Sequence, residues 1–203
     1  QVQLNFLSRN KNIDVCGSNC KKINNQGEVI GIRLFPETDK NIKSKMHVVI
    51  TGSGQGIGKE IAKDLCVNEL VNRITLISRS SNVENTLKSI KNLNHSLEIE
   101  AYIIDVSKIN ELERLKAYFA VHPPSALINS AAILGKSAKF DEITDIELLE
   151  TFKVNAVGSF NMVKLMMPFF KTQKFGRIIN FGGGGAAYPY SNFLRLKQIQ
   201  PNS

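Results

Sequence analysis

Cysteine, long apolar runs and dense clusters of charge are all scarce in this 203-residue sequence. Its three cysteines, Cys16, Cys20 and Cys66, are too few and odd in number for a disulfide framework. Cys16 and Cys20 lie four apart, but no second Cys or His pair follows at a zinc-site spacing, so no metal is expected. No apolar run reaches the eighteen or so residues a membrane-spanning helix needs, so no membrane partner is expected. The first residues, QVQLNFLSRNKNIDV, have no long apolar stretch after a basic start, so no secretory signal is read there and a cytoplasmic setting is the expectation. The formal charge is +8, yet Lys and Arg are spread along the chain with no cluster of five or more, so a solvated basic surface is expected, with no nucleic-acid partner. Such a field also suits a ligand rich in phosphate.

What is present is the balance of a globular domain, 42% hydrophobic and 22% charged. The chain changes character near Met46. Residues 1–45 are polar, rich in Asn and Lys, and only Val29 to Phe35 reads as a strand; they are expected to form an extension of separate origin and unknown role. From His47 on, short apolar runs alternate with helical patterns. The strand candidates are His47 to Thr51, Arg73 to Ser78, Leu97 to Ile104, Ala126 to Asn129 and Gly176 to Phe181. Between them run helices over Gly56 to Val67, with Ile57, Ile61 and Leu65 on one face, over Val83 to Leu93, and along Ile109, Leu112, Leu115 and Phe119. Thr144 and Glu147 have capping-box spacing and open a long helix running toward Pro168. Strands and helices in alternation, with continuous apolar strands, predict an α/β fold: a Rossmann-type, doubly wound parallel sheet with helices on both faces.

Strand one meets helix one at Thr51-Gly-Ser-Gly-Gln-Gly-Ile-Gly58. Two linked phosphates need main-chain N–H donors and the positive end of a helix, with no side chain in the way. In that frame Gly52 takes the tight turn, Gly56 lets the main chain approach a pyrophosphate and Gly58 lets the helix pack on the sheet, while Thr51 and Ser53 can add hydroxyl bonds. The turn stands between a strand and a helix, as a dinucleotide site requires. At the end of strand two, where an acid would hold a ribose 2′-hydroxyl, the chain has Ser78, Arg79 and Ser80. An acid there repels a 2′-phosphate and an Arg attracts it, so NADP(H) is favoured over NAD(H). The competing reading of Arg79 is an exposed surface charge.

The spacing Thr51-Gly-x-x-x-Gly-Ile-Gly58 resembles that of the short-chain dehydrogenase/reductase family, and four more of its signals follow in order. Asp105-Val106 after strand three matches the family's adenine contact. Asn129-Ser-Ala131-Ala132 after strand four stands where the family shows Asn-Asn-Ala-Gly. Asn155, in Lys153-Val-Asn-Ala-Val-Gly158, matches the catalytic Asn. Gly176-Arg-Ile-Ile-Asn180 matches the approach to the catalytic serine. Over residues 46–193 the resemblance implies an NAD(P)(H)-dependent oxidoreductase acting on a small carbonyl or alcohol. Its cofactor contacts would be Thr51, Gly52, Ser53, Gln55, Gly56, Ile57, Gly58, Arg79, Asp105, Val106, Asn129 and Ala131; Asn155 would be catalytic. For an intact relative it implies a homo-oligomer through the long helix.

The sequence departs from the family at the reacting groups. In the family a Tyr protonates the carbonyl, a Lys four residues on lowers the Tyr pKa, a Ser orients the substrate and the Asn supports a water relay. Here Gly182 falls at the serine position. Tyr188 is followed four residues later by Asn192 and Tyr190 by Leu194, while Lys197 is preceded by Phe193, so the Tyr-x-x-x-Lys pattern is absent. Residues 194–203 read as an unrelated tail, and the fold is expected to be incomplete at its C-terminus by truncation or a shift of reading frame. Two further readings therefore stand beside the enzyme: a dinucleotide-binding fragment without turnover, and a fragment that folds poorly because an apolar sheet edge stays uncovered. The three histidines, His47, His95 and His122, are expected at the surface.

Overall fold

The computed structural model describes residues 46–67, 69 and 71–182, together with the backbone of three short strands at 13–17, 21–23 and 29–32. Those strands are β1 (Ile13–Gly17), β2 (Lys21–Ile23) and β3 (Val29–Ile32). Then come β4 (His47–Thr51), α1 (Gly56–Val67), β5 (Arg73–Ser78), α2 (Asn82–Lys91) and β6 (Glu98–Ile103). A broken helix follows, α3 (Ile109–Leu112) and α4 (Lys116–Val121), joined by one 3-10 turn. Next are β7 (Ala126–Asn129), α5 (Asp145–Phe152), a π-helical segment (Lys153–Val157), α6 (Gly158–Gln173) and β8 (Gly176–Asn180). Tyr188, Tyr190, Phe193, Lys197 and Cys20 lie outside the described residues.

The main sheet is parallel, in the order β1-β8-β7-β4-β5-β6, and β2 and β3 form a separate antiparallel pair. Strand β4 sits at the centre. From it the chain winds outward through β5 and β6, then returns to β7 on the other side. The reversal between β4 and β7 opens a crevice at the carboxyl ends of the strands, the place where a doubly wound sheet binds ligands. Beyond the five strands expected from the sequence, β1 pairs along β8 from Ile13↔Gly176 to Gly17↔Asn180.

Alternation along β4 shows why the strands are apolar throughout. Val48 and Ile50 join a core with Ile74, Leu76, Ala62, Leu65, Val83 and Ile90, under α1 and α2. Val49 joins the opposite core with Ile77, Leu127, Leu112, Phe119, Met162 and Met166, under α3, α4 and α6. Each face buries its own set, so both are mainly apolar, and the polar residues they bury, such as His47 and Thr75, bond one another.

Three details differ from expectation. The buried face of α1 is Gly58, Ala62, Leu65 and Cys66, while Ile57 is 60% exposed where it borders the crevice. The last helix runs through Pro168 to Gln173 and ends at Lys174 in the left-handed region. An internal proline costs about 3 kcal/mol, and burial of Met162, Met166 and Phe170 on the sheet offsets it. His47 is 4% exposed, not at the surface. Its Nδ1 lies 2.9 Å from the His122 carbonyl and its Nε2 2.8 Å from Thr75 Oγ1. A carbonyl only accepts, so Nδ1 carries the proton and Nε2 accepts from the Thr75 hydroxyl.

Candidate functional site

A cleft of about 410 Å³ lies at the β4/β7 reversal. Its walls come from the ends of four strands: Gly52, Gln55, Gly56 and Ile57 after β4; Ser78, Arg79, Ser80 and Asn82 after β5; Asp105 and Val106 after β6; and Ser130 to Ile133 after β7, with Val154 from the π segment.

The glycines of the turn do different work. Gly52 has φ +67, and a Cβ there would come within 2.7 Å of Ala131 N and Ser130 O. It lets β4 end flush against the chain leaving β7. A Cβ on Gly58 would lie 2.7 Å from Gly52 O, so Gly58 seats α1 on the turn. Gly56, at φ +56, has nothing within 4 Å of an added Cβ. It faces open cleft. The amides of Gln55, Gly56 and Ile57 donate to no carbonyl outside α1 among the described residues, and they belong to the helix end that lacks internal acceptors. The donors and space a pyrophosphate needs are thus both present.

Not every expected contact lies in the cleft. Ser53 is buried, and both its amide and its hydroxyl are given to Ile77 O at 3.2 Å. It ties the turn to β5. Thr51 is buried too, and its Oγ1 accepts from the amides of Ser130 and Ala131, each at 3.1 Å. Thr51, Ser53, Gly58 and Asn129 shape the wall from behind, whereas Gly52, Gln55, Gly56, Ile57, Arg79, Asp105, Val106 and Ala131 line it.

Arg79 is exposed at the cleft rim beside Ser78 and Ser80. Asp105 Oδ1 accepts from Ser107 N at 2.9 Å and Ser107 Oγ at 2.7 Å. Burial works against its charge, but the two Ser107 bonds and the fields of Arg79 and Lys108 hold the carboxyl below its usual range. Asp105 is therefore a standing anion at neutral pH, fit to accept from an amino group.

Asn155 sits in the π segment, outside the lining. Its Oδ1 accepts from Ile133 N and its Nδ2 donates to Ile133 O, both at 2.8 Å. Its main-chain carbonyl accepts from Ser159 Oγ at 3.2 Å. Gly158 explains the close approach of this helix, because a Cβ there would meet Val106 Cγ2 at 2.7 Å. At the start of α5 the capping box is formed as its spacing predicts.

Sequence reading missed Gly54, where a Cβ would lie 2.9 Å from Ser78 Oγ, and Asn161, whose Nδ2 donates to Val106 O at 3.1 Å. It also gave no part to Asn180, which accepts from Asn129 Nδ2 at 2.8 Å. Extra glycine in the turn was the one available signal. The Asn partners are 55 and 51 positions away and show only in the fold. Among the described residues no group of His, Cys, Asp and Glu is placed to hold a metal, and no helix is long and apolar enough to cross a membrane.

Comparison with known proteins points the same way. Residues 46–194 match the short chain dehydrogenase family. The chain is 26% identical over 147 residues to very-long-chain 3-oxoacyl-CoA reductase of Bos taurus, covering 70% of this chain and 46% of that protein. Its fold superposes on NAD+-bound xylitol dehydrogenase with a TM-score of 0.66 at 21% identity, covering 74% of this chain and 58% of that one. It superposes on an actinorhodin polyketide ketoreductase variant with NADPH with a TM-score of 0.66 at 25% identity, covering 73% and 57%. The chain spans about half the length of the curated relatives it matches. With the family matched from β4 through β8, this chain belongs to the short chain dehydrogenase family of NAD(P)-binding oxidoreductases.

Proposed function

We propose that this chain binds NADP(H), in preference to NAD(H), as the cofactor half of an oxidoreductase acting on a carbonyl or alcohol. The observation that carries the reading is the open face of Gly56, with the amides of Gln55 to Ile57 left for a ligand. Those amides and the N-terminus of α1 would hold the pyrophosphate. Arg79, with Ser78 and Ser80, would pair with a 2′-phosphate through charge-assisted bonds. Asp105 would accept from the adenine amino group, with Val106 beside the ring. When bound, the nicotinamide supplies or takes the hydride. The chain's own contribution at that end is the wall Ser130 to Ile133, held by Thr51 at one end and Asn155 at the other.

Within these 203 residues no Tyr is followed four positions later by Lys, and Gly182 stands at the serine position. That favours, for this chain by itself, binding without turnover. On the long helix, Ile146, Leu149 and Phe160 are exposed, Ile146 by 78%, which supports self-association of a homologous whole. Fluorescence titration with NADPH and NADH tests the reading, with tighter NADPH binding expected. Equal or tighter NADH binding would remove the cofactor preference. A panel of carbonyls assayed with NADPH tests turnover, and robust reduction by this chain would overturn the binding-only reading.

A further inference from the structure

We infer that Asn180 is a positioning residue for the cofactor cleft, acting through a buried amide pair with Asn129; the consequence for cofactor rests on the dinucleotide reading above. Thr51, Asn129 and Asn180 stand in one register row across β4, β7 and β8, at the last residue of each strand. Each strand end then runs toward the site: Thr51 into the glycine turn, Asn129 into the wall Ser130 to Ile133, and Asn180 toward Gly182.

The row is laced by side chains as well as by the sheet. The Thr51 hydroxyl accepts the two amides that follow Asn129. Asn129 itself is 4% exposed, and its Nδ2 donates to Asn180 Oδ1 at 2.8 Å. Its Oδ1 is buried without a hydrogen-bond partner. A carboxamide so placed is half satisfied, and its one bond goes to Asn180. Removing that acceptor leaves both polar atoms of a buried amide unmet, the situation a folded chain relieves by moving backbone. The segment joined directly to Asn129 is Ser130 to Ile133, the cleft wall, so a shift of Asn129 passes to it first. Asn180 thus fixes that wall without touching a ligand.

Chemistry separates this role from simple packing. Asp in place of Asn180 keeps an oxygen acceptor for Asn129 Nδ2, while Leu keeps the volume and loses the acceptor. Two readouts on the full chain are needed: amide hydrogen exchange of residues 130–133 without cofactor, and the dissociation constant for NADPH. Asn180→Leu is expected to speed exchange at 130–133 and weaken NADPH binding by about tenfold, the effect of one unmet buried group. Asn180→Asp is expected to match the unsubstituted chain in both, within about twofold. If the Leu variant does not fold, the Asp variant still decides: faster exchange at 130–133 in folded Asn180→Asp overturns the proposal, as does unchanged exchange in Asn180→Leu. The exchange readout needs no ligand, so it stands apart from any failure of the chain to bind NADPH.

Discussion

The side chain of Asn155 is wholly committed to the main chain of Ile133, accepting from its N–H and donating to its carbonyl, each at 2.8 Å. A carboxamide, with an acceptor oxygen beside a donor NH2, answers a peptide unit in this paired way at any pH. Both amide groups of Asn155 are thus already engaged within the protein. Its main-chain carbonyl takes a further bond from Ser159 Oγ at 3.2 Å. Asn155→Ala should cost about 1–2 kcal/mol of stability in urea unfolding, two exposed-side hydrogen bonds' worth. Asn155→Asp should lose most at high pH, where a carboxylate faces the Ile133 carbonyl, and recover as the pH falls and the acid gains a proton to donate. An Asp variant with no pH dependence beyond that of the unsubstituted chain would contradict the paired geometry.

Gly56 and Gly58 make separable predictions. Gly56→Ala places a Cβ in open cleft at φ +56, so the folded chain bears only the left-handed strain of about 1–2 kcal/mol. Binding should suffer more, because that Cβ stands where a pyrophosphate would meet the amides; at least about a tenfold rise in the NADPH dissociation constant is expected, and the loss should exceed the loss of stability. Gly58→Ala drives a Cβ to 2.7 Å from Gly52 O, and backbone must shift. Its expected mark is a stability loss of about 1–3 kcal/mol, with binding reduced in step. Calorimetric titration beside urea unfolding for both variants checks the contrast. NADPH binding by Gly56→Ala at unchanged affinity would sink the dinucleotide reading.

The parts legible in the sequence are those whose cause is local. Continuous apolar stretches such as Val48 to Ile50 announced strands buried on both faces, the glycine spacing announced the turn, and Thr144 with Glu147 announced the start of α5. What stayed hidden depends on partners far along the chain. His47 looked like a surface residue because Thr75 and His122, which receive it, are 28 and 75 positions away. Ser53 looked like a ligand contact because nothing local shows that its hydroxyl turns in toward Ile77. Ile57 fitted a helical stripe with Ile61 and Leu65, yet it borders the cleft and is exposed there. The helix beyond Pro168 shows the same thing in reverse, with tertiary burial overriding a local stop signal.

The proposed preference for NADP(H) rests on Arg79, so Arg79 should carry the test of it. It is exposed, and its charge also helps hold Asp105 ionised. A charge-assisted contact to a 2′-phosphate contributes about 1.5–3 kcal/mol, reduced by solvent at the rim. Arg79→Ala should therefore weaken NADPH binding about tenfold or more while leaving NADH within about twofold, and raising salt should erode the NADPH advantage of the unsubstituted chain. Equal losses for the two cofactors would assign Arg79 to the common part of the dinucleotide and not to the phosphate.

His47 gives the fold a pH dependence whose direction follows from its surroundings. Burial is the main cause that lowers its pKa to about 4; the charges of Arg73 and His122 add to this, while the bond to the His122 carbonyl opposes it. In the unfolded chain the imidazole titrates near 6.5. Above that pH both states carry a neutral ring, and the full stability is present. Between about 6.5 and 4 the unfolded chain binds a proton that the folded chain refuses, so stability falls as the pH falls. The slope approaches about 1.4 kcal/mol per pH unit, and the total is on the order of 3 kcal/mol. Urea unfolding at pH 7.5, 6, 5 and 4.5 should show this loss, and His47→Gln, which cannot titrate, should be less stable at pH 7.5 yet lose less on acidification. If the substituted and unsubstituted chains lose stability in parallel across that range, another group carries the proton linkage and the buried imidazole does not.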